Sequence, residues 1–137
     1  MLKNLRLGFI GSGKMAEAMI GGLLRRELVS PAHISAAGPR EERARILEKQ
    51  YGIAATTDNR SAVQSDLVTL AVKPQTMALV FQELAGCVSE ASLVVSIAAG
   101  VRLETICKGL ACRRVVRAMP NTPGRINRGI TVWTATA

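Results

Sequence analysis

Short apolar, β-branched runs alternate along the chain with segments in which apolar residues recur every three or four positions. That alternation marks strand–helix–strand units wound into a mostly parallel sheet. Leu5 to Ile10 predicts a first strand, behind which Met15, Met19 and Leu23 form one i, i+4 row beside a second row of Ala16, Ile20, Leu24 and Leu28. Adjoining rows make one buried stripe, so a helix follows, and Ser30-Pro31 stops it because a residue before proline avoids the α region. His33 to Ala37 predicts a weaker second strand. Pro39 then suits the first turn of a helix with Ala44, Leu47 and Tyr51 inward and Gly52 as its stop. Ile53 to Ala55 reads as a brief edge strand, and Asp58 as the cap of a short helix.

Leu67 to Val72 is apolar almost throughout, as a strand covered on both faces should be. A helix opening at Pro74 carries Met77, Val80, Phe81 and Leu84 at i, i+3, i+4 and i+7, and Ser92 to Ile97 gives another buried strand. Leu103, Ile106 and Leu110 then mark a shorter helix, Val115 to Met119 a strand, and Ile130 to Trp133 a last strand behind a proline-bearing loop. No repeat, low-complexity tract or linker interrupts the order. The expected fold is α/β, a doubly wound, mostly parallel sheet with helices on both faces and the first strand central.

The size, 137 residues with 48% apolar content, suits one domain over 1–137 with one sizeable core. His33 is the single histidine, and Cys87, Cys107 and Cys112 form neither a CxxC pair nor a metal-binding set, so no metal is expected. An odd count also argues against a disulfide framework, and the cysteines read as small apolar packers in a reducing cytoplasm. The longest apolar stretch, Ala91 to Val101, is too short to span a bilayer, and Lys14 cuts short the apolar run that a signal peptide would need. A cytoplasmic protein without a membrane partner is expected. Charge adds one asymmetry: the net charge is +8, and residues 102–137 carry seven basic side chains against one acidic. Such a tail suits phosphates, acidic substrates, nucleic acid or another subunit, and alone selects none of them.

Between the first strand and the first helix stands Gly11-Ser12-Gly13-Lys14-Met15-Ala16, a GxGxxA in the place where a dinucleotide fingerprint has mechanical meaning. Gly11 permits a tight turn, Gly13 lets backbone approach a pyrophosphate, and Ala16 lets the helix pack on the strand. Free N–H groups at the helix start face the anion. The alternative is a glycine-rich turn without ligand, with Lys14 either a phosphate counter-charge or a solvated surface lysine. At the end of the second strand, Ala36-Ala37-Gly38-Pro39-Arg40 lacks the acid that would accept from a ribose 2′-hydroxyl. Arg40, with Arg43 behind it, could pair with a 2′-phosphate, which favours NADP(H) over NAD(H), although helix-surface Arg and Glu here also suit solvated pairs of little energy. Three further stretches fall at predicted strand ends: Ala71-Val72-Lys73-Pro74-Gln75, Ser96-Ile97-Ala98-Ala99-Gly100 and Met119-Pro120-Asn121-Thr122-Pro123. That is the edge where open α/β sheets bind ligands.

Read together, Gly8 to Ala16, Asp58-Asn59, AVKPQ, SIAAG and Arg117 to Pro123 with Gly129 following resemble the pyrroline-5-carboxylate reductases, in that family's order. The resemblance implies a Rossmann-type fold. It implies that Ile10, Gly11, Ser12, Gly13, Lys14 and Met15 hold the pyrophosphate and that Asn59 helps bind the adenosine phosphate region. It also implies that Ala71, Val72, Lys73 and Pro74, with Ala98, Ala99 and Gly100, flank the nicotinamide. The family reduces 1-pyrroline-5-carboxylate to L-proline, with hydride passing from the reduced nicotinamide to the ring imine carbon while the protein supplies orientation. Gly38 departs from the family, where relatives often place a serine that touches the 2′-phosphate, and this moves weight to Arg40 and backbone amides. Family members also continue into a helical domain that dimerises them and supplies the substrate loop, so this chain is expected to be the cofactor half, inactive alone. No catalytic residue is assigned; Lys73, Asn121 and Thr122 are the polar candidates near the nicotinamide.

Two other functions compete. One is the N-terminal domain of a different NADP-dependent reductase, deazaflavin-dependent or of the β-hydroxyacid type, against which AVKPQ with MPNTP counts. The other is a non-catalytic nucleotide-sensing or nucleic-acid-binding module using the basic tail. The four aromatics, Phe9, Tyr51, Phe81 and Trp133, fall mostly at predicted core positions, leaving little for base stacking, so no nucleic-acid partner is expected.

Overall fold

The computed structural model describes residues 2–120 and 131–136. Its strands are β1 (Leu7–Ile10), β2 (Ile34–Ala37), β3 (Ala54–Thr56), β4 (Leu67–Leu70), β5 (Leu93–Ser96), β6 (Val115–Pro120) and β7 (Thr131–Ala135). The helices are α1 (Lys14–Arg25), α2 (Glu41–Tyr51), α3 (Asn59–Val63), α4 (Met77–Leu84) and α5 (Leu103–Leu110). Among the described residues the strands form one seven-stranded sheet in the order β3-β2-β1-β4-β5-β6-β7, with β1 central. Every pairing is parallel except that of β7 with β6. This is a doubly wound Rossmann-type α/β sheet.

Strand alternation divides the core into two layers. Leu7 and Phe9 of β1, with Ile34 and Ala36 of β2, pack on Ala16 and Ile20 of α1 and Leu47 of α2. Ile10, Val68, Leu70 and Val94 point to the other face, against Val63 of α3, Val80 and Leu84 of α4, and Ile106 and Leu110 of α5. α3 crosses β1 so closely that a Cβ at Gly8 would collide with the Ala62 carbonyl oxygen. Among the described residues no helix is long and apolar enough to cross a membrane.

Several features differ from the sequence expectation. α1 ends at Arg25 rather than running to Leu28, because Glu27 adopts a left-handed φ of 54° and the Leu28 amide reaches back to the Leu23 carbonyl at 3.1 Å. That bond and the one from Glu27 N–H to the Leu24 carbonyl close a Schellman turn before Pro31 is reached. Pro39 lies outside α2, whose N-cap is Arg40. β4 stops at Leu70 rather than running to Val72, with one further ladder bond from the Ala71 N–H to the Ile10 carbonyl at 2.7 Å. Trp133 is 68% exposed rather than a core residue. It pairs with Ala118 across β6 and β7 and belongs to neither core layer. The last strand's expected first residue, Ile130, lies outside the described residues.

Candidate functional site

Register brings the strand ends into line, Ile10 beside Ala37 and Leu70, and Leu70 beside Ser96. Backbone bonds continue the ladder one residue past the strands: Gly11 N–H to the Ala37 carbonyl at 2.7 Å, and Ile97 N–H to the Leu70 carbonyl at 3.1 Å. The glycine turn, the AVKPQ turn and the SIAAG turn therefore sit side by side on the carboxyl edge.

The two glycines of the fingerprint answer to different demands. Gly11 has φ +106°, and a Cβ there would stand 2.5 Å from the Ala71 carbonyl oxygen, so the fold itself requires glycine. Gly13 is the N-cap of α1 with φ −77°, and a Cβ on it would meet nothing within 4 Å. Neither strain nor packing inside the chain calls for glycine at 13; the open approach to its backbone is the cradle that a bulky anion needs. The first helical bond runs from Glu17 N–H to the Gly13 carbonyl at 3.0 Å, so the amides of Lys14, Met15 and Ala16 have no acceptor within the helix. They and the helix dipole favour negative charge at this point. Ala16 is fully buried, Lys14 is exposed, and Ile10 is buried beneath the turn.

Ser12 is buried, and its Oγ occupies the space that a Gly38 Cβ would take. Its carbonyl accepts from Arg43 Nε at 3.0 Å. The same guanidinium pairs with Glu17 at 2.7 Å, the two side chains being 17% and 23% exposed, and Tyr51 donates its hydroxyl to the other Glu17 oxygen at 3.0 Å. Burial, and then the Glu17 hydrogen bond, push the Tyr51 hydroxyl above its ordinary pKa of 10.0. Arg43 thus engages the turn and Glu17 through Nε and one Nη. Arg40 is exposed at the start of α2. Sequence reasoning passed over Glu17, and read Tyr51 only as an apolar position.

Asn59 opens α3 and donates to Glu83 of α4 at 3.0 Å, while Asp58 caps that helix by accepting from Arg60 N–H at 3.0 Å. Ala71 and Val72 are half-buried, and Lys73 is exposed. Ala98 is buried, its amide reaching Ser96 Oγ at 3.3 Å, whereas Ala99 and Gly100 are exposed. Pro74 and Gly100 share one groove with Met77, Phe81 and Arg102, so the two stretches read as nicotinamide neighbours meet in space. Asn121 and Thr122 lie outside the described residues. The edge offers an anion cradle and small residues against which a flat ring can lie.

Known proteins agree with this architecture. The chain is 40% identical over 134 residues to the pyrroline-5-carboxylate reductase of Escherichia coli, covering 96% of this chain and 50% of that one. The structure of a pyrroline-5-carboxylate reductase from Coxiella burnetii superposes with a TM-score of 0.91 at 34% identity, over 98% of this chain and 50% of the other. A Plasmodium falciparum pyrroline carboxylate reductase, solved with NADP bound, shares the fold at a TM-score of 0.83 and 23% identity, over 98% of this chain and 49% of that one. The chain spans about half the length of the curated relatives it matches. Residues 6–100 match the family described as NADP oxidoreductase, coenzyme F420-dependent, and the chain belongs to that family.

Proposed function

We propose that residues 1–137 form the NADP(H)-binding domain of a pyrroline-5-carboxylate reductase, working in a cytoplasmic homo-oligomer once a substrate-holding domain is present. The observation that carries this reading is the 40% identity over 96% of the chain. The family's description names coenzyme F420 as well. Near-complete alignment with imine reductases favours the imine over a deazaflavin partner.

Gly13 fits the dinucleotide, since the space beside it is open and the helix start supplies donors. Ile10 to Met15 would hold the pyrophosphate, Arg40 the 2′-phosphate, and Asn59 the adenosine side by exchanging its contact with Glu83. Ala71 to Pro74 and Ala98 to Gly100 would bracket the nicotinamide and keep water from its face. When bound, the dinucleotide supplies hydride from its reduced ring to the imine carbon of 1-pyrroline-5-carboxylate. Lys73, Asn121 and Thr122 are the polar groups proposed for that neighbourhood, and none is assigned as an acid.

Thermal shift tests the cofactor, because a ligand that binds the folded state alone stabilises it by RT ln(1 + [L]/Kd). NADPH at about 100 times Kd should add about 2.7 kcal/mol, and NADH at the same concentration less. Arg40→Glu should erase the difference, and equal shifts in the parent would remove the argument for a 2′-phosphate site. If a domain outside these residues holds the imine near the ring, the 137-residue chain alone should turn over pyrroline-5-carboxylate negligibly. Brisk turnover by the chain alone would place the substrate site within these residues.

A further inference from the structure

The glycine turn is the part of the proposed cofactor site with the least intrinsic order, because Gly11 and Gly13 flank Ser12 and glycine gives up the most backbone freedom on folding. Something must fix the Ser12–Gly13 peptide. A trans peptide is planar, so the direction of the Ser12 carbonyl sets the direction of the Gly13 N–H, one of the amides at the start of α1. That carbonyl accepts from Arg43 Nε at 3.0 Å, across from the first turn of α2. The guanidinium is held in turn by Glu17 at 2.7 Å, and Glu17 by the Tyr51 hydroxyl at 3.0 Å. One side of the planar fork serves the carbonyl and another the carboxylate, a division that a lysine ammonium cannot reproduce. The network is three-quarters or more shielded from water at Arg43 and Glu17, unlike the Arg45–Glu41 pair on the same helix, whose side chains are both 74% exposed.

We infer that Arg43 is a positioning residue for the dinucleotide turn, gripping Ser12 so that the Gly13 amide is preset, with Glu17 and Tyr51 holding the grip. The inference rests on the NADP(H) reading above. It assigns Arg43 no contact with the 2′-phosphate, so its loss should weaken both dinucleotides by one factor.

Calorimetric titration of the parent and of Arg43→Ala with NADPH and with NADH, alongside thermal melts, tests this. Both affinities should fall together by about tenfold, the order expected for one lost hydrogen bond to a charged group, leaving the NADPH to NADH ratio unchanged. Tyr51→Phe should produce a smaller loss with the same unchanged ratio. Arg43→Lys, which keeps the charge but cannot serve Ser12 and Glu17 together, stands in where the alanine variant fails to fold, and should show the same parallel loss. A loss confined to NADPH would make Arg43 a phosphate ligand and overturn the inference. Unchanged affinities with a lowered melting temperature would reduce the network to general stability. A parent that binds neither dinucleotide would overturn the cofactor reading and this inference with it.

Discussion

Around β1 and β2 both faces of the sheet are covered, and Phe9, Ile10, Ile20 and Ile34 are enclosed to 2% exposure or less. On β6 and β7, Met119, Val132 and Trp133 stand 41%, 67% and 68% exposed. The central strands therefore carry the core and the glycine turn together, with Arg43, Glu17 and Tyr51 linked to one another beside that turn. The last two strands contribute pairing more than burial: Met119 and Val132, paired across the strands, lie exposed on one face of the sheet, and Trp133, opposite Ala118, on the other.

Paired core substitutions give the largest expected contrast. Phe9→Ala should cost about 3–5 kcal/mol, as for other fully buried aromatics, while Trp133→Ser should cost less than about 0.5 kcal/mol. Urea midpoints would measure both, and similar losses would mean that the two regions are equally part of the core. The next test separates folding from binding within the central region. Gly13→Val should abolish dinucleotide binding with an unchanged melt, because its new side chain enters open space. Tight NADPH binding by that variant would detach the turn from the cofactor.

The smallest effect is alkaline. Burial and the Glu17 bond raise the Tyr51 pKa above 10.0 in the folded state, so the neutral phenol is preferred there. Its contribution to stability is complete below pH 10 and disappears as pH rises through the folded value. The parent should therefore lose stability more steeply than Tyr51→Phe above pH 10, whereas Trp133→Ser should follow the parent. Coincident slopes for the parent and the phenylalanine variant would deprive Tyr51 of this role.

The strand–helix alternation, the central first strand and the shared edge were legible because each strand is a short apolar run whose end is marked by glycine, proline or a polar residue, as at Gly11, Lys73 and Gly100. α1's end was not, since its apolar row continues to Leu28 while a non-glycine residue, Glu27, takes the left-handed conformation that closes the helix. Trp133 was misplaced because a large aromatic in a strand reads as core whether or not a helix covers it. Arg43 was read from neighbours in sequence, where Glu41 and Glu42 stand close, yet its partner is Glu17 on another helix. Only the packing of α1 against α2 brings those two together. Gly8 carried no signal of its own, and its need for α3 to approach appears only in three dimensions.

The reversal of direction at β7 sets a route for anything joined to the chain. Because β7 runs antiparallel to β6, Ala135 lies beside Val116, and Thr136 bonds back to the Val115 carbonyl at 2.9 Å. The polypeptide thus leaves the sheet at its amino edge, behind the glycine turn rather than above it. Five residues of β7, at about 3.4 Å each, separate that exit from the far edge by about 17 Å. A purification tag fused there leaves the dinucleotide edge clear. A fused domain meant to cover the nicotinamide needs either a connector long enough to climb that distance or a second subunit that presents it from outside.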